Sequence, residues 1–98
     1  MPKKVDLNHT AMVKALRDSG FHVWDTHECG DGAPDLVVTQ RATGRVLLVE
    51  VKGPKGKLTS AEVYWHTAYP DNGSLIVARE AADVLRWFGL IEGAVELR

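Results

Sequence analysis

RVLLVEVKGPKGK, residues 45–57, begins with Val46-Leu47-Leu48-Val49, a run with the continuous apolar character of a fully buried β-strand. Two charges, Glu50 and Lys52, interrupt that run. Side chains alternate along a strand, so Glu50 and Lys52 share one face with Val46 and Leu48, while Leu47, Val49 and Val51 take the other. A carboxylate and an ammonium at the end of an apolar strand are costly to desolvate unless something compensates them. Gly53-Pro54-Lys55-Gly56-Lys57 then breaks the strand in a turn that carries two more cations. Upstream, Asp35 follows Pro34 and precedes a second apolar run, Leu36-Val37-Val38. An acid fifteen residues ahead of a Glu-x-Lys has the spacing of two adjacent strands that each bring a carboxylate to a common point.

The rest of the chain supplies a frame for those two strands. Residues 7–19 have helical spacing, with Met12, Ala15 and Leu16 on one stripe, Asn8 as N-cap and Gly20 as the stop. Phe21–Asp25 alternates as a half-exposed strand, and residues 27–33 form a loop rich in breakers. Pro34–Gln40 reads as the next strand, joined through the tight turn Ala42-Thr43-Gly44 to Arg45–Lys52 in an antiparallel hairpin. Thr59–Tyr69 reads as a helix opened by a capping box between Thr59 and Glu62, with Ala61, Tyr64, Trp65 and Ala68 facing inward. Pro70-Asp71-Asn72-Gly73 ends it. Ser74–Ala78 is a short strand, and Glu80–Phe88 a third helix with Ala81, Val84, Leu85 and Phe88 on one face. The tail, Leu90–Arg98, has mixed signals that fit an edge strand or a turn of helix. The order α-β-β-β-α-β-α predicts a single-domain α/β sandwich, residues 1–98, around a central mixed sheet.

Composition narrows the classes. A chain of 98 residues with 45% apolar content is one small domain able to bury a core. A formal net charge of −1 gives no global basic signal for nucleic acid, so the placement of charges matters more than their sum. Lys52, Lys55 and Lys57 crowd one loop, and Lys3, Lys4 and Lys14 lie near the first helix. The single Cys29 excludes an internal disulfide and a cysteine-based zinc site. No signal peptide or membrane span is visible, which leads to the expectation of a soluble cytoplasmic protein.

Gly32-Ala33-Pro34-Asp35, Val49-Glu50-Val51-Lys52-Gly53-Pro54, and Leu58-Thr59 with Glu62 and Trp65 together resemble the PD-(D/E)XK nucleases, and within them the small VRR-NUC branch. The resemblance spans about residues 9–88. Stand-alone members of that branch occur in phages and prophages. The resemblance implies a restriction-endonuclease-like core and catalytic positions at Asp35, Glu50 and Lys52. The branch usually has glutamine where this chain has Glu62, and relatives place an acid in the first helix, where this chain has Asn8 or His9.

The implied activity is hydrolysis of DNA phosphodiester bonds with Mg²⁺ or Mn²⁺. Such hydrolysis needs an activated water, charge relief at phosphorus and help for the leaving oxygen. Mg²⁺ prefers oxygen ligands, which Asp35, Glu50 and the Val51 carbonyl would supply. Lys52 would orient or deprotonate the attacking water, or steady the pentavalent phosphate. Lys55 and Lys57 are the expected phosphate-backbone contacts. Glu62 has two readings, a site residue or the N3 member of the capping box. A domain this small has little surface with which to recognise a junction alone, so a homodimer on branched DNA, such as a Holliday junction, is the expected form.

Two alternatives stand beside it: a nucleic-acid-binding module with a degenerate nuclease site, and an interaction protein whose charges are incidental. No sequence-reading element such as a helix-turn-helix or zinc finger is recognisable. His9 reads as a surface residue at a helix start, with a metal-linked role as its alternative. His22, His27 and His66 have no zinc-like spacing and read as structural, Trp24, Trp65 and Trp87 as core, and Cys29 as an inert thiol.

Overall fold

β1 (Phe21–Asp25), β2 (Leu36–Gln40) and β3 (Val46–Val51) pair antiparallel in sequence order, and β4 (Leu75–Ala78) joins β3 in parallel. Among the described residues, three helices flank this mixed sheet: α1 (Leu7–Asp18), α2 (Ser60–Thr67) and α3 (Ala81–Trp87). The structure is a computed structural model that describes residues 7–69 and 73–97. The element order and the mixed sheet are those expected from the sequence, and they form a small α/β domain consistent with a restriction-endonuclease-like fold. Among the described residues no helix is long and apolar enough to cross a membrane.

Strand register assigns the two faces. Val23 pairs with Val38 and Val38 with Leu47; Asp25 pairs with Leu36 and Leu36 with Val49. These residues point to one side, where Met12, Val13 and Leu16 of α1 and Val84 of α3 complete the core. Leu16, Leu36, Leu47, Val49, Ile76 and Val84 are fully buried there. Removing that apolar surface from water is the main favourable term in so small a fold. Phe21 and Phe88 close one end with ring centroids 5.0 Å apart. The tail adds one antiparallel bridge, Val77 to Glu96, and packs Val95 and Leu97 against the core.

The opposite face is covered less completely. It carries Trp24, Val37, Leu48 and Glu50, and α2 lies over part of it. The inward stripe expected for α2 is therefore corrected: Ala61, Tyr64 and Ala68 are exposed, while His66 is buried and its Nδ1 lies 2.6 Å from Leu97 O. A short helix over a partly open face buries only the side chains that reach a neighbour. Trp24 is also not core. It is 62% exposed on this face. Trp65 and Trp87 are half-buried, each donating its indole N–H, to Asp31 O and Gly73 O respectively.

Two local expectations shift. Asn8 is not a cap but lies inside α1, where its amide donates to Lys52 O at 2.9 Å and Arg79 O at 3.1 Å. One side chain thus ties α1 to the carbonyls that end the parallel pair β3 and β4. Pro34 and Asp35 precede β2, yet the Asp35 amide still donates to Val49 O at 2.9 Å. Residues 70–72 of the expected helix stop lie outside the described residues.

Gly32 sets how closely the loop before Asp35 approaches α2. Its φ is +73°, and an added Cβ would lie 2.6 Å from Ala61 Cβ and 2.7 Å from its carbonyl carbon. Gly44 has a similar φ, +74°, with open space around it. Gly44→Ala should cost about 1–2 kcal/mol, the ordinary penalty of a left-handed side chain. Gly32→Ala should cost more by about 1–3 kcal/mol, because it adds an overpacked contact with helix backbone. Urea unfolding of both variants checks this; equal losses would mean that the loop and α2 are not in close contact.

Candidate active site

Asp35 is fixed before any ligand arrives. Its Oδ2 accepts from Val51 N at 2.9 Å and its own amide donates to Val49 O at 2.9 Å, so side chain and backbone together clamp the residue to the end of β3. Glu50 lies between those two positions, and strand alternation turns it to the opposite face. It is only 2% exposed, and its Oε1 is buried with no hydrogen-bond partner among the described residues. Burial, with the hydrogen bond and charge repulsion from Asp35 and repulsion from Glu62, pushes the Glu50 carboxyl up to about 10, against a smaller opposing pull from Lys52. Two acids at this spacing, one of them desolvated, favour a single shared negative charge.

Lys52 extends from the end of β3 toward α2, where its Nζ lies 2.7 Å from Glu62 Oε1. The same oxygen accepts from Thr59 N at 2.8 Å, while Glu62 N donates to Thr59 Oγ1 at 3.3 Å. The two readings of Glu62 therefore coexist. It is the third residue of the capping box and the carboxylate partner of Lys52. Burial works against its ionisation, but the Lys52 and Thr59 hydrogen bonds outweigh that effect and hold its carboxyl below the usual range. Thus Asp35, Glu50, Lys52 and Glu62 meet at one end of the sheet, from a loop, a strand end and a helix.

The cationic loop has a support that the sequence reading missed. Arg79 Nη1 donates to Gly53 O at 2.6 Å and Gly56 O at 2.9 Å, and its guanidinium also pairs with Glu96 at 2.9 Å. Val51 pairs with Ala78 across the parallel strands, so Lys52 and Arg79 leave the sheet side by side. An arginine directly after an apolar strand was the available signal. Lys55 and Lys57 remain exposed on the loop that Arg79 holds. Lys14, expected to add to a basic patch, pairs with Asp18 at 2.6 Å, and Lys3 and Lys4 lie outside the described residues.

His9 is corrected from a surface residue to a buried one, 6% exposed, with Nε2 3.0 Å from Asp25 Oδ2. His27 joins it through Asp25 Oδ1 at 2.6 Å. Sequence spacing alone does not reveal this grouping, because His9 joins Asp25 and His27 only through the packing of α1 on β1. A cleft of 340 Å³ opens beside it along α1, not over Asp35 and Glu50.

The donor set at Asp35 and Glu50 fits a hard divalent cation. A buried carboxyl oxygen without a hydrogen bond, beside a fixed carboxylate, offers the oxygen ligands that such ions prefer. Without a cation, the raised Glu50 group should make stability fall as pH rises from the ordinary carboxylate value toward about 10, because the unfolded chain ionises first. Glu62 has the opposite sign: its lowered group contributes stability at neutral pH that is lost as pH falls below the ordinary carboxylate range. In metal-free buffer, Glu50→Gln should melt above wild type at pH 8 and converge with it near pH 4. Glu62→Gln should melt below wild type at pH 7 and converge in acid. Parallel melting curves across pH would contradict both assignments.

The VRR-NUC domain model matches residues 3–86 of the chain, while no curated protein and no solved structure matches it. That span contains Asp35, Glu50, Lys52 and Glu62 together with every element that positions them. The chain belongs to the VRR-NUC domain family, a PD-(D/E)XK-like nuclease family.

Proposed function

We propose that the chain is a divalent-metal-dependent endonuclease that hydrolyses DNA phosphodiester bonds, with Asp35, Glu50, Lys52 and Glu62 as its working residues. The observation that carries this reading is the buried Glu50 carboxyl held against the clamped Asp35 carboxylate, within reach of the Lys52–Glu62 pair. Asp35 and Glu50 would hold Mg²⁺ or Mn²⁺, with the Val51 carbonyl as a further oxygen. The bound ion supplies Lewis acidity at the phosphoryl group and lowers the pKa of a coordinated water. Lys52, steadied by Glu62, places a cationic donor beside that centre, where negative charge grows as the phosphorus becomes pentavalent. Lys55 and Lys57, on the loop that Arg79 braces, suit the flanking phosphates.

The preferred substrate in this proposal is branched DNA, cut by a homodimer that brings two such sites to one junction. Trp24, 62% exposed, and Val46, 46% exposed, lie on the sheet face that α2 leaves open and give a second copy an apolar surface. The test is cleavage of four-way junction, duplex and single-stranded DNA in Mg²⁺, Mn²⁺, Ca²⁺ or EDTA. Light scattering of the same samples reports the mass. Wild type should be dimeric and cut the junction preferentially in Mg²⁺ and Mn²⁺, whereas in Ca²⁺ it should bind without cutting. Lys52→Ala should retain binding in Ca²⁺ and lose roughly 10²-fold or more of the rate, as expected for a group that acts on the transition state. Cleavage that survives EDTA, or normal turnover in Lys52→Ala, would overturn the assignment.

A further inference from the structure

We propose that His9, Asp25 and His27 form a second metal site, suited to Zn²⁺ or a similar borderline transition cation and distinct from the Asp35–Glu50 site. One ligand atom from each residue lies within 4.8 Å of the others. The donors come from three places in the fold: His9 from the first turns of α1, Asp25 from the end of β1 and His27 from the following loop. His9 Nε2 is 3.0 Å from one Asp25 oxygen and His27 Nδ1 is 2.6 Å from the other, with the two rings 5.0 Å apart and edge to face. Two imidazoles and one carboxylate are a common ligand set for catalytic zinc and non-haem iron, with the remaining position left to water.

Placement separates this site from the oxygen site. Asp25 shares its face with Val23, Val38 and Leu47, the side on which α1 packs. Glu50 points to the other face. The cleft lined by His9, Thr10 and Asp25 gives a cation a route from solvent. Asp25 offers one carboxylate oxygen to each histidine, so all three donors converge on one point. Mg²⁺, which favours near-octahedral oxygen, is poorly matched to two ring nitrogens, so the two faces select different ions.

The role that follows is positional. Thr26 lies between two of the ligands; its amide donates to Asp35 O at 2.7 Å and its hydroxyl donates to Pro34 O at 2.8 Å. A cation chelated by Asp25 and His27 would lock Thr26 and, through it, the backbone that presents Asp35. It would also pin α1 to that loop through His9.

The test uses the whole chain, stripped of metal and titrated with Zn²⁺ against a chromogenic chelator and with Co²⁺ by absorption. Wild type should bind one Zn²⁺ with a dissociation constant below about 1 μM. Co²⁺ should give ligand-field bands, and Zn²⁺ should raise the melting temperature by mass action. His9→Ala and His27→Ala should each weaken Zn²⁺ by at least roughly tenfold, judged against the known importance of metal-shell residues. A double Asp35→Asn/Glu50→Gln variant should bind Zn²⁺ as wild type does. Because His9 is buried, a wild-type measurement guards against misfolding of its variant: Zn²⁺ should shift the imidazole nitrogen resonances of His9 and His27 and leave His22 unmoved. The proposal is overturned if Zn²⁺ binds no more tightly than about 10 μM, if the Asp35/Glu50 double variant abolishes binding, or if the His9 and His27 resonances stay in place.

Discussion

Burying Glu50 beside Asp35 is the constraint on which the rest of this small fold depends. A carboxyl 2% exposed, pushed up to about 10, is a local liability in a domain of 98 residues with little stability in reserve. The surroundings are arranged to hold it in place. Val49 and Val51 are anchored in the core on the far side of β3, so the strand cannot rotate Glu50 toward water without exposing them. Asp35 is clamped to the same two residues through the backbone and cannot swing away. The conflict is structural, and under the proposed function a bound divalent cation would resolve it.

The neighbouring charges form a gradient around that centre. Lys52 and Glu62 neutralise one another at 2.7 Å and leave the Asp35–Glu50 pair as the unresolved negative charge. Arg79 sits behind Lys52, occupied by Glu96 and by two loop carbonyls, so its guanidinium shapes the loop and leaves Lys55 and Lys57 outward. Asn8 performs a similar task for the helix, spanning the carbonyls of Lys52 and Arg79 where the parallel strands end. The resemblance to PD-(D/E)XK nucleases led to the expectation of an acid in the first helix. Here a neutral amide holds backbone at that end of the sheet, and His9 turns toward Asp25 instead.

Much of this was legible in the chain because local patterns carried it. The alternation through Val46–Lys52 and the Thr59–Glu62 capping box each depend on residues close in sequence and lie where their patterns predict, whereas Pro34 and Asp35 fall just before β2 rather than inside it. What the sequence hid was tertiary. The grouping of His9, Asp25 and His27 needs α1 laid across β1, and the exposure of Trp24 and Tyr64 depends on how little of the second face α2 covers. Periodicity says that a helix has an apolar stripe, but not whether the surface beneath it is large enough to bury that stripe. For the same reason the sequence offers Glu62 as cap or site, whereas in three dimensions a single oxygen serves both Thr59 and Lys52.

The central claim is that Glu50 is protonated in the metal-free protein and gives up that proton to a divalent cation. Calorimetric titration with Mn²⁺ at pH 7, repeated in buffers of different ionisation enthalpy, measures protons released per ion bound. Wild type should release about one proton per Mn²⁺, because a ligating carboxyl must lose its proton, and Glu50→Gln should lose both the release and the tight binding. Tight Mn²⁺ binding without proton release, or unchanged binding in Glu50→Gln, would contradict it.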